Sequence, residues 1–146
     1  MKSTKSTSRV LLSACLAGLI GAQVQPIEIS PLANGFNPDP DLKITAKAPT
    51  TIEQDRLTFQ AGADTGWHTH PGAALVVVTR GAVTLYQSDQ CRTVYSAGSF
   101  FEETENVVHK LVNETGDVSE VLGTLLLPAG SPELIPATNP GRVPCH

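Results

Sequence analysis

Residues 66–78 read GWHTHPGAALVVV, and this stretch poses two questions. Its second half, Ala73 to Val78, is apolar and rich in β-branched side chains, the composition of a strand. Its first half places His68 and His70 two apart, beside Trp67. In extended backbone, residues i and i+2 project from the same face, so both rings point the same way. Two imidazoles on one face are either part of a metal site or two unrelated polar side chains, and the pair alone does not decide.

Outward from this stretch the chain breaks into short runs rich in Val, Thr, Leu and aromatics at 52–60, 73–80, 82–87, 92–97, 99–103, 107–112 and 118–127, separated by Gly, Asn or Asp. No convincing amphipathic helix interrupts them. Many short strands so close together predict an all-β sandwich or small barrel, and parallel α/β folds lack the crossover helices they need. The segment 23–51 contains SPLANGFNPDPDLK and reads as an irregular arm or linker, with one edge strand expected near KITAKA at 43–48. The tail 128–146 holds five Pro and two Gly in nineteen residues and reads as irregular too. A third histidine, His109, lies in NVVHKLVN on a different predicted strand, alternating with Val107 and Leu111. Neutral imidazoles are preferred donors for Zn, Fe, Ni, Cu and Mn. Two at i,i+2 plus one from a facing strand supply one side of a coordination shell.

The glycines around these histidines carry a resemblance. Gly62 is followed by five residues, His68-Thr69-His70, Ala74 after three more, and Gly81 after a further six; Gly98 is followed by five residues, Thr104-Glu105-Asn106, then His109 after two and Asn113 after three. This pattern resembles the two motifs of the cupin family in register, over roughly residues 55–127. The resemblance implies a double-stranded β-helix, the small jelly-roll barrel, over 52–127, with the arm and the tail flanking it. It also implies a divalent metal, Fe, Ni, Mn or Zn, held by His68, His70 and His109. Cupin-like domains often pair by swapping edge strands, so the resemblance admits a homodimer.

The departures from the family pattern are specific. Ala74 stands where the family usually has a Glu ligand. Three neutral imidazoles without a carboxylate leave the full +2 charge of the ion, which favours a small anionic ligand such as an enolate, carboxylate or thiolate. Cupin-like dioxygenases with three-histidine sites show that Ala74 does not by itself exclude metal. Glu102, Glu103 and Glu105 are nearby acids able to substitute, but they read more simply as a solvated acidic turn. Thr104 and Asn106 replace the usual Pro and Gly, and Asn tolerates the positive φ that such a turn needs. Trp67, Ala74, Val76, Phe100 and Leu111 are the residues expected around a pocket. Asn113 opens an NET glycosylation sequon but sits within the motif, where a structural amide is the better reading.

At the start of the chain, Lys2, Lys5 and Arg9 precede the uncharged run VLLSACLAGLIGA, residues 10–22. That is short of the ~20 residues that span a bilayer and reads as a secretory signal ending at Ala22, giving an exported protein, periplasmic or secreted. A lipoprotein anchored at Cys15 is the rival reading. Removing 1–22 takes three of the 10 basic residues and none of the 14 acidic ones, leaving a charge of −7. That balance and the lack of Lys/Arg clusters argue against a nucleic-acid or anionic-membrane partner. Cys91 and Cys145 remain, an even pair that predicts a disulfide in an oxidising compartment. Three functions stay open: an exported metalloenzyme, dioxygenase- or isomerase-like; a non-catalytic metal- or small-molecule-binding domain; and an interaction module that keeps only the barrel.

Overall fold

The computed structural model describes residues 30–145. The leader expected at 1–22, Cys15 and His146 lie outside the described residues. Strands β1 (Thr50–Phe59), β2 (His68–Thr69), β3 (Ala73–Arg80), β4 (Ala82–Tyr86), β5 (Arg92–Ser96), β6 (Phe100–Glu103), β7 (Lys110–Val112), β8 (Ser119–Pro128) and β9 (Ile135–Pro136) follow one another, with no helix among the described residues. Among these residues, therefore, no helix is long and apolar enough to cross a membrane.

Three antiparallel sheets result. One has the order β1-β8-β3-β6, one β5-β4-β7, and a two-stranded ribbon joins β2 to β9. Their pattern follows from alternation. Along β8, Ser119, Val121, Gly123, Leu125 and Leu127 are buried, and the residues between them are half-exposed. β3 does the same with Val76 and Val78. Phe59, Val76, Val78, Phe101 and Val121 from the larger sheet meet Val83, Leu85 and Leu111 from the smaller one in a single core. Full burial of each such side chain contributes about 1.5–3 kcal/mol.

Turns close the barrel where the glycines sit. Gly81 has φ +68° between β3 and β4, and a Cβ there would fall 2.5 Å from Ser119 Oγ. Asn106 adopts φ 61° where the family pattern has Gly, and its N–H donates to the His70 carbonyl at 2.8 Å. The motif-two turn thus braces the His-x-His segment directly. The edge strand expected at KITAKA does not form; residues 43–48 are exposed and join no ladder. The segment lies beside Glu102, Thr104 and Glu105 without pairing with a strand, and the Lys47 carbonyl accepts instead from Thr50 Oγ1.

Candidate metal centre

β2 and the residues before β7 bring the three histidines together. His68 and His109 form an antiparallel bridge, each N–H donating to the other's carbonyl at 2.9 Å. Ring centroids lie 4.9 Å apart for His68–His70, 4.5 Å for His68–His109 and 5.2 Å for His70–His109. One ring nitrogen from each lies within 4.8 Å of the others, and all three side chains are buried.

The tautomers follow from the backbone. Nδ1 of His68 lies 2.8 Å from the Gly66 carbonyl, Nδ1 of His70 2.7 Å from that of Glu133, and Nδ1 of His109 2.9 Å from that of Val107. A carbonyl only accepts, so each Nδ1 donates, and each neutral ring keeps its lone pair on Nε2. This is the outer-shell arrangement that orients metal-binding imidazoles.

A carboxylate completes the group. Glu103, at the end of β6, is only 5% exposed. Its Oε2 lies 3.3 Å from His70 Nε2 and its Oε1 3.4 Å from His109 Nε2. Glu103 Oε1 and His109 Nε2 are buried without a hydrogen-bond partner. Burial alone raises a carboxyl's pKa, but the His109 and His70 imidazoles outweigh it and hold Glu103 down at about 2. Burial likewise works against charge on His70, yet Glu103 and the Glu133 carbonyl raise its pKa. His68 is lowered, first by burial and then by the neighbouring His109 and His70. The reading of Glu103 as a solvated turn acid is therefore overturned. Strand parity held the signal: in FFEE, residues 101 and 103 share a face, and Phe101 is in the core at 1% exposed.

Beside the cluster lies a cavity of about 70 Å³, bordered by His68, His70, Glu103, Ala74, Val76, Leu111 and aliphatic neighbours. Two expected pocket residues are elsewhere. Phe100 alternates away from Phe101, and its Cβ lies close to the arm at Gly35. Trp67 does not line the cavity; it is half-buried, with Lys110 Nζ 5.2 Å from its ring centroid. The tail, read as irregular, instead roofs the site. β9 pairs with β2, Ala137 N–H donates to the Trp67 carbonyl, and Glu133 and Leu134 line the cavity. Nothing local in a Pro-rich run announces that pairing. Glu133 also gathers with Glu53 and Asp55 at the rim. The Cys91–Cys145 disulfide fastens the end of the tail.

Against known proteins, the family model described as a cupin domain matches residues 55–124. No curated protein matches the chain. Among solved structures, an uncharacterized conserved protein with a double-stranded β-helix domain from Klebsiella pneumoniae is 16% identical, with 69% of this chain and 90% of that one covered and a TM-score of 0.52. The polyketide cyclase RemF from Streptomyces resistomycificus is also 16% identical, with a TM-score of 0.52, over 60% of this chain and 61% of the cyclase. At such identity the likeness shows the fold, a double-stranded β-helix.

Proposed function

We propose that this chain, whose residues 55–124 match the cupin-domain model, is an exported metal-binding cupin in which His68, His70 and His109 hold a divalent ion facing the cavity. The observation that carries this reading is the meeting of acceptors. With every Nδ1 committed to a carbonyl, the Nε2 lone pairs and the Glu103 carboxylate converge on one point with no donor among them. Such a set of acceptors suits a cation, and the orphaned His109 Nε2 and Glu103 Oε1 are the atoms that a cation would engage.

A bound Fe, Ni, Mn or Zn ion supplies Lewis acidity to a donor atom of a small molecule. The chain's own residues orient the imidazoles, exclude bulk water with the tail, and surround the open side with aliphatic groups. The ligand expected from sequence was anionic. Glu103 and the rim acids Glu53, Asp55 and Glu133 weigh towards a small molecule that arrives neutral, with one ionisable oxygen or sulfur, such as an enol or thiol. The disulfide supports an oxidising, hence extracytoplasmic, location. The small cavity keeps the non-catalytic reading in view, since it admits little more than a few heavy atoms.

Elemental analysis of unchelated protein tests the proposal. Near-stoichiometric metal in wild type, absent in His109→Ala, is expected; no metal in wild type after loading with Fe(II), Ni(II), Mn(II) or Zn(II) sinks it. Oxygen uptake with a panel of enediols, thiols and diketones then separates turnover from binding alone.

A further inference from the structure

We infer that the carboxylate ligand of this site has crossed the sheet: Glu103 on β6 serves where the motif leaves Ala74 on β3, and position 74 becomes part of the ligand-facing cavity instead. The inference rests on the metal reading above and specifies its donor set.

The register makes the exchange possible. Ala74 and Glu103 are direct partners in the antiparallel β3–β6 pairing. Residues directly opposite one another on such a pair project from the same face, with Cβ atoms about 4.5–5.5 Å apart. A Glu at 103 therefore delivers its carboxylate to the space that a Glu at 74 would reach, from the neighbouring strand.

The surroundings of Glu103 leave it no other task. Among the described residues, His70 and His109 are the only groups that pair with its carboxylate, and no Lys or Arg borders the cavity. A buried carboxylate without a cation costs several kcal/mol. The Nε2 atoms of His70 and His109 lie 3.3 and 3.4 Å from this carboxylate, so a metal ion held by the rings would lie within its reach.

Two consequences follow. A carboxylate beside three imidazoles lowers the net charge at the ion from +2 to +1, which revises the fully cationic site expected from Ala74 alone. Moreover, the volume that a Glu side chain would fill beside Ala74 is now apolar cavity, continuous with Val76, Leu111 and Leu125. The open face of the site therefore lies on the Ala74 side and accepts a small apolar group next to the donor atom.

The test measures affinity for Co(II) and Zn(II) by chelator competition, with the Co(II) visible spectrum as a readout of the donor set. Glu103→Gln keeps the shape and removes the charge; it is expected to weaken binding by more than ~100-fold, beyond the range that losing an outer-shell partner produces, and to change the spectrum. Adding Ala74→Glu to Glu103→Gln is expected to recover affinity, because the carboxylate returns along the facing strand. Infrared difference spectra of wild type on Zn(II) loading are expected to show a shifted carboxylate band, a measurement that does not depend on any variant folding. Wild type that loads metal with no carboxylate shift, or a Glu103→Gln protein with unchanged affinity and spectrum, overturns the inference and leaves the three-histidine site standing. Failure of wild type to load any metal falls on the function proposal instead.

Discussion

At position 113 a fully buried amide holds three pieces of chain together. Asn113 Nδ2 faces the carbonyls of Phe59, Gln60 and Asp117, and its Oδ1 accepts from Thr115 N–H and Oγ1–H. A glycan cannot be carried by an amide so enclosed in the folded chain. Asn113→Ala leaves those groups unsatisfied and is expected to cost about 3 kcal/mol, read as a lower urea midpoint; a change below ~0.5 kcal/mol, the range of ordinary surface substitutions, would show that the amide is dispensable. Glu103 and His70 set a pH window for metal-free protein. The Glu103 pKa falls from 4.5 to about 2 on folding, so its contribution is complete above 4.5 and is lost as pH falls towards 2. The His70 pKa is raised from 6.5, so its contribution is present below 6.5 and is lost as pH rises through its raised value. The Glu103–His70 pair is therefore expected to contribute most between about 4.5 and 6.5, opposed there by His68, whose lowered pKa costs stability as pH falls below 6.5, and Glu103→Gln is expected to remove the pair's acid limb. An unchanged acid limb in that variant would assign the loss to other carboxylates. The three histidines were legible because their spacing sits in a glycine frame. Glu103 was not, because an acid beside two other acids looks solvated until the parity of the strand is known.

At the scale of elements, apolar alternation carried most of the strand map. The predicted run at 73–80 coincides with β3, and the runs at 82–87, 92–97 and 118–127 fall within a residue of β4, β5 and β8. The run at 107–112 shortens to Lys110–Val112 because Val107 and the residues after it turn to present His109. β9 stayed hidden for a physical reason: a two-residue strand ending in Pro is specified by its partner β2, not by its own propensity. Glycines at element boundaries separate two kinds of constraint. Gly72 sits between His70 and β3, and a Cβ there would collide with the Leu126 carbonyl oxygen, a backbone atom held in the β3–β8 ladder. Gly98 has φ +90° but open space around it. Gly72→Ala is expected to cost about 3 kcal/mol or more through overpacking, and Gly98→Ala about 1–2 kcal/mol through backbone strain alone. Thermal melts of the two variants check the order; a Gly98→Ala protein that is the less stable of the pair would refute it.

For the whole molecule, the question is what keeps the roof over the site. The tail is held by the two-residue β2–β9 pairing, by Ser88 Oγ–H to the Val143 carbonyl at 2.7 Å, by Asp89 N–H to the Gly141 carbonyl at 3.0 Å, and by Asn139 Nδ2 to Asp89 at 2.8 Å. Each such bond contributes about 1 kcal/mol net, too little to order a Pro-rich segment against its backbone entropy. The Cys91–Cys145 bond adds to these: its separation of 54 residues makes the closed loop worth about 4 kcal/mol in the chain-entropy account. The pairing itself was legible from two cysteines left after the leader, but its use was not, since nothing in the sequence says that the tied segment crosses the histidines. The tail also supplies the Glu133 carbonyl that fixes His70 and the Leu134 side chain that borders the cavity. Cutting the disulfide should therefore loosen metal as well as lower stability. Cys145→Ser, or wild type under reductant, is expected to release bound Co(II) to a chelator about tenfold faster or more, the range associated with losing an outer-shell partner of a ligand. His70→Ala, which already lacks the ring that the tail orients, should show a much smaller acceleration on reduction. If reduction lowers the urea midpoint but leaves the release rate of wild type unchanged, the tail is only a structural strap and His70 keeps its orientation without it.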